Sequence, residues 1–246
     1  MRQEMAFDRH ETTAHRPYRR LGTYATALTT LFAVLIVVGV VLTGAHFWRA
    51  RVFDRRAEGR LIQQVVVSEA EIDAAHAVVV TASVVWWLVA AVTAAVFIMW
   101  QFRHAQNAKA FGAVGGLSHP AWAIGAWLIP LGNLILGPRQ IYRSRAPGIG
   151  RTTLPVRVLT WWAIALALAL LVLWLASRAW VDGAQYRFDL IRNSTADYLI
   201  AIAALTSAVA ASFAIYIVRT FSRRQDEATE KWPVGGGSAR ASATPQ

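Results

Sequence analysis

The sequence predicts an all-α integral membrane protein with four transmembrane helices and a Pro-interrupted, broken or re-entrant apolar segment. Three observations carry this. Apolar residues make up 56% of the chain and charged residues only 16%, against roughly 25% charged in ordinary soluble domains. No Asp, Glu, Lys or Arg occurs between Arg20 and Arg49, Asp73 and Arg103, Arg157 and Arg178, or Asp197 and Arg219. Each gap exceeds the roughly 18 residues that cross a ~30 Å hydrocarbon layer at ~1.5 Å per residue. A further uncharged stretch, from Pro120 to Pro138, contains Pro130, Gly132, Asn133 and Gly137. Pro130 removes a backbone donor and crowds the preceding turn. Freed carbonyls must be satisfied within protein or a wet cavity, so a smooth lipid-facing helix is not expected there.

Residues 1–20 read as a basic tail. The first helix, 21–47, is far longer than the roughly 7–15 residues of a signal-peptide core, so it is expected to remain as a span. Trp48 marks its interfacial end. Residues 48–76 mix Arg, Glu and apolar positions; Leu61, Val65 and Ile72 can share a face, which suggests a helix lying along the interface. The second span is 77–102, with Trp100 near its end in the manner of an aromatic belt and Trp86-Trp87 at its middle, where packing is the ordinary reason for such residues.

A polar connector, 103–120, holds a flexible Gly112, Gly115, Gly116 turn and leads into the broken segment, 121–141. A basic connector, 142–157, precedes the third full span, 158–177, then a polar loop, 178–197, and the fourth, 198–218. In that last span Ala204, Ala208 and Ser212, and Ala203, Ser207 and Ala211, recur every four residues, a spacing that lets helices approach closely. The tail, 219–246, is expected to be disordered at its end.

Lys and Arg counts favour an even number of crossings with both termini cytoplasmic: 17 fall inside and eight outside. Five crossings, the alternative, put ten inside and 15 outside with the N-terminus in, or the reverse with it out. The four-crossing arrangement leaves the five Arg that follow the first helix outside. The setting expected is a bacterial plasma membrane. The net charge of +11 lies in short runs beside apolar spans. It suits anionic lipid headgroups, and no nucleic acid is expected as partner.

Signatures for metalloproteases, phosphate loops, dinucleotides and serine hydrolases are absent from the sequence, as is Cys. No cofactor, metal or catalytic residue is therefore assigned. His46 and His76 are placed near one another at the outer ends of the first two helices and read as interfacial. Ser83 and Thr93 are expected to bond back to their own helix.

The most informative stretch is Phe97 to Tyr142. Trp100-x-Phe102-Arg103-x-x-x-Asn107 is followed by Pro120-x-Trp122-Ala123-Ile124-Gly125-x-Trp127, Ile129-Pro130-x-x-Asn133-Leu134 and Pro138-x-Gln140. With Arg223-Arg224-Gln225 near the end, this block resembles a bacterial membrane-protein family known as domain of unknown function 4328, over about 80–226. Pro138 stands five residues after Asn133, where the family pattern has about four. The resemblance implies a multi-span membrane protein and supplies no activity.

Read on their own chemistry, Arg103, Asn107, Trp122, Trp127, Pro130, Asn133 and Arg139 form a candidate polar and structural site at the broken segment. Arg103, Asn107 and Arg139 are placed to face it, and Asn133 to satisfy carbonyls freed by Pro130. The function expected is that of a non-enzymatic component that binds a protein partner, a second copy or lipid headgroups. A small transporter or channel subunit with its site at the broken segment is the alternative; the lack of charge within the spans weighs against it.

Overall fold

The computed structural model describes residues 20–62, 64, 67–110, 120–128, 133–143, 153–183 and 185–231. The two tails, the glycine-rich turn and Pro130 lie outside these residues. Every regular element among the described residues is an α-helix: α1 Gly22–Leu61, α2 Glu69–Ala110, α3 Trp122–Leu128, α4 Asn133–Arg143, α5 Thr153–Ala179 and α6 Arg187–Lys231. α1, α2, α5 and α6 contain the four charge-free stretches and are long and apolar enough to cross a membrane. The fold is thus the all-α membrane class that the charge gaps predict.

The helices outlast their apolar stretches. α1 has 40 residues, about 60 Å at ~1.5 Å per residue, roughly twice the hydrocarbon thickness. Among the described residues between the first two spans there is no separate helix: α1 runs unbroken to Leu61 and α2 begins at Glu69. Charges of both signs from Arg51 to Arg60 suit a solvated helix. Ser68 caps α2, its Oγ accepting from the Glu71 N–H at 3.2 Å. Val52, Val67 and Ala75 close a small core beneath, joined by Ile72. Arg55 pairs with Glu71, and both Arg56 amino groups donate to Glu69 at 3.0 and 2.9 Å. Those bonds, with the Arg56 charge, hold the Glu69 carboxyl below the usual range. Two of the five Arg that crowd this side in the sequence, Arg55 and Arg56, are therefore matched by carboxylates from α2.

α6 packs between α1 and α5, and α2 packs against α1. Gly39 of α1 makes the close approach possible: a Cβ there would lie 3.6 Å from the Ala204 carbonyl oxygen and 3.8 Å from the Ala208 Cβ. A branched side chain would force α1 and α6 apart. The seam on α6 follows Ala204, Ala208, Ala211 and Ala214, all buried, whereas Ser212 is exposed. A strict four-residue row drifts around a 3.6-residue helix, and the step of three to Ala211 returns the row to the seam. The small-residue expectation holds, with the register corrected. Thr93 does bond to its own helix, at the Val89 carbonyl, 2.7 Å away.

Trp100 departs from expectation. It is fully buried, not in an interfacial belt, because its ring fills the end of the bundle beside Phe97. Trp86 is half-buried against Leu42, Ala45 and Val79, while Trp87 is exposed on the lipid-facing side.

At one end of the bundle, the proximal end, the Leu21 N–H donates to the Asp226 Oδ1 at 3.4 Å. α2 finishes there and α5 starts there, since Phe97 meets Trp162 with ring centroids 5.9 Å apart. The segment between them therefore leaves and returns at the same end. α3 and α4, with seven and 11 residues, span about 10 and 16 Å, each too short for a ~30 Å layer. Four crossings with a broken segment agree with this geometry. The chain's lack of Cys permits a direct check. Single cysteines at Lys109 and Arg157 should react with an impermeant maleimide from one face of sealed vesicles, and cysteines at Arg60 and Asp182 from the other. Labelling of Lys109 and Arg157 positions from opposite faces would require a fifth crossing.

Candidate functional site

The proximal polar residues occupy one face of α2. Gln101, His104 and Asn107 are spaced by threes and turn inward together, all buried. α6 answers with Ser222 and Gln225, α4 with Gln140; these too are buried. The Trp100 Nε1–H donates to the Ser222 Oγ at 2.9 Å. Gln225 clasps α2 twice, its Oε1 accepting from the His104 Nδ1–H at 3.0 Å and its Nε2 donating to the His104 carbonyl at 3.0 Å. The Asn107 amide reaches the same Oε1 at 3.5 Å. Gln101 donates to the Gln140 side-chain oxygen, tying α4 to the bundle. The His104 ring stacks on Trp100 at 5.4 Å and meets Phe221 edge-on at 5.7 Å.

Because the Gln225 oxygen can only accept, His104 carries its proton on Nδ1 and leaves Nε2 as an acceptor. That Nε2 is enclosed beside the Ile141 backbone and makes no hydrogen bond of standard geometry among the described residues. The groups gathered here are amides, an indole, an imidazole and a hydroxyl. They hold helices in register, since buried polar groups need partners.

Of the singled-out residues whose side chains are described, the structure brings Asn107 alone into this layer. Arg103 is half-buried and donates to Gln106 of its own helix at 3.2 Å, one turn away from the interior. Trp122 and Arg139 are exposed. Trp127 lies in α3 and Asn133 opens α4; their side chains, and Pro130, lie outside what is described. α4 buries Gly137, Gln140 and Ile141 and presents Ile135 and Arg139 outward. The missed residues, Gln101, His104, Gln140 and Gln225, had a legible signal: Gln140 and Gln225 stand in the motif block, and the spacing from Gln101 to Asn107 marks one helical face.

A second buried polar layer lies at the distal end. Asp197 of α6 is fully enclosed, Arg49 of α1 is 5% exposed and His46 4%. The Arg49 guanidinium holds Asp197 in a two-point contact, Nε to Oδ2 at 2.8 Å and Nη2 to Oδ1 at 2.7 Å. His46 donates from Nδ1 to the same Oδ1 at 2.7 Å. Arg49 Nη1 extends to the His76 Nδ1 of α2 at 3.1 Å, and its guanidinium lies over the Trp180 ring, 5.0 Å from the centroid. His46 and His76 are thus linked through Arg49, and His46 is buried on a carboxylate instead of facing headgroups. Tyr198 donates to Asp54 at 2.8 Å, and Asn193 clips the turn before α6 through the Val181 N–H and carbonyl at 2.8 and 2.9 Å.

Removing one member of a buried charge pair strands the other, typically at ~3–5 kcal/mol. Asp197→Ala should therefore lower the melting temperature in detergent sharply, and Arg49→Met with Asp197→Leu should recover most of the loss. An Asp197→Ala protein as stable as the parent would refute the Arg49–Asp197 pair as the bolt between α1 and α6. Gln225→Leu leaves the His104 Nδ1–H and Asn107 without their shared acceptor, at ~1–3 kcal/mol. It should loosen α6 from α2, read as faster hydrogen exchange around 101–107.

The sequence profile of a family described as domain of unknown function (DUF4328) matches residues 63–223, well over half of the chain. The match covers α2 to α5 and most of α6, including Gln101, His104, Gln140, Ser222 and Asp197, and starts after α1. No curated protein and no solved structure matches the chain. The two polar layers and the broken segment between α2 and α5 are therefore features of a chain that belongs to the DUF4328 family.

Proposed function

We propose that the protein is a non-enzymatic component of a bacterial plasma membrane, with its proximal end on the cytoplasmic side binding anionic lipid headgroups. One observation carries this reading: the charge is divided unequally between the two ends. The distal segments, 49–76 and 178–197, hold eight Arg and eight carboxylates, while the segments joined to the proximal end hold 17 Lys and Arg and six carboxylates. The whole net charge of +11 therefore belongs to one side. Arg20, Lys109, Arg139, Arg157, Arg219 and Arg223 are all exposed there. Beside them Trp122, Ile124 and Ile135 of α3 and α4 expose apolar groups, the pairing that seats a segment at a headgroup boundary. The same excess favours both termini in the cytoplasm.

Between the two polar layers, α6 runs 25 residues from Asp197 to Ser222, about 37 Å. Its own buried side chains there are Ala, Ile, Val and Phe, and Thr43 of α1, which donates to the Ala201 carbonyl at 3.4 Å, is spent on that backbone oxygen. A solute path would need polar groups at that depth, so the channel alternative draws no support from the bundle interior.

Basic residues near a charged surface contribute ~1 kcal/mol each. Lys109→Glu, Arg139→Glu and Arg157→Glu together should reduce enrichment of phosphatidylglycerol over phosphatidylcholine, measured with spin-labelled lipids in vesicles, by on the order of 100-fold. Raising the salt to about 1 M, where the screening length is about 3 Å, should do the same to the parent. Enrichment that survives both would sink the proposal, and solute flux above protein-free vesicles would favour a channel.

A further inference from the structure

On the flank of the α1–α2 seam away from α6 lies an apolar groove of about 430 Å³, lined by Val38, Val41, Ala77, Val78, Thr81 and Val85 among others. Its floor is at Val38 and Val85, inside the hydrocarbon depth. Heptad spacing carries both walls toward the distal surface, since positions seven apart stay on one helix face within ~20°. From Val41 the stripe continues to Trp48, which is 40% exposed, and then to Arg55. From Val85 and Val78 it continues to Glu71. Arg55 and Glu71 form an ion pair across the two helices, both partly open to solvent. The groove itself is apolar but for Thr81, and beyond it on the same helix faces stand an indole and then one cation beside one anion.

The dimensions suit one molecule of one leaflet. Glu71 to Val85 is 14 residues, about 21 Å along the helix, and half of a ~40–45 Å bilayer with its headgroups is of the same length. The mouth also selects. Arg binds phosphate through parallel N–H donors, and Glu71 offers a carboxylate to an ammonium group. A headgroup carrying both charges replaces one ion pair by two. A purely anionic headgroup would gain Arg55 but meet the carboxylates of Glu71 and neighbouring Glu69. We propose that this groove is a binding site for a single phospholipid with an ammonium-bearing zwitterionic headgroup, phosphate on Arg55 and ammonium on Glu71. The distal end, where charges balance, thereby recognises a different lipid class from the basic proximal end.

The test is native mass spectrometry of the detergent-purified full chain, incubated with equal amounts of phosphatidylethanolamine and phosphatidylglycerol. One phosphatidylethanolamine should be retained in preference. Thr81→Trp, which fills the groove, should lower that occupancy at least about tenfold, and Glu71→Gln should remove the headgroup preference while leaving acyl-chain binding. Val78→Trp serves the same purpose should Thr81→Trp fail to insert. Equal retention of both lipids by the parent, or occupancy unchanged by either Trp substitution, would overturn the proposal. So would a lipid-free dimer that Thr81→Trp dissociates, since the groove would then seat a second copy.

Discussion

A carboxylate with no exposure to solvent, Asp197, sets the terms for the distal half of the bundle. In a medium that offers no water, its charge has to be met by protein, and three helices contribute to meeting it: Arg49 and His46 from α1, His76 from α2 by way of Arg49, and Trp180 from the end of α5. At the proximal boundary the same requirement is met with neutral groups, amide to imidazole and indole to hydroxyl. The apolar stretch between is left mainly to shape, with one Thr43 hydroxyl reaching the Ala201 carbonyl at 3.4 Å. There the close contact of Gly39 with the Ala204 row holds the helices together, because lipid tails give Leu and Val no reason to prefer protein.

The spans were legible because a soluble helix of more than about 18 residues carries charge on its wet face, and these four stretches carry none. Their ends were less so. Arg49 and Asp197 interrupt apolar runs and so read as solvated borders, whereas in the fold each is the partner that permits the other to be buried. A single chain offers no way to see that residues 148 positions apart pair. The opposite error affected Trp100, placed at a lipid interface because it precedes Arg103. Its neighbours Gln101 and His104, polar and in helical phase with Asn107, mark the face as turned inward.

The candidate site was legible as a region more than as a set of residues. The motif block led to the right end of the bundle and to Asn107. Yet it emphasised Arg103 and Arg139, whose charge draws attention in an apolar sequence and whose side chains lie half or wholly outside the packed layer. Uncharged Gln140 and Gln225, easily passed over, make the inter-helix bonds. In a membrane protein the quieter amides are the better indicators of what touches what, since an amide can be buried without the desolvation cost that an unpaired guanidinium incurs.

The bolt between α1 and α6 also bears on assembly. These are the first and last long helices of the described chain, so a ribosome delivers Arg49 and His46 well before Asp197 emerges. Until α6 arrives, α1 must wait with its guanidinium at the aqueous border, and its Gly39 face meets Trp86 of α2 but not the Ala204 row. The insertion of α6 therefore neutralises the first helix, and a nascent chain stalled before Asp197 would present an unmatched cation to whatever machinery inspects half-built membrane proteins.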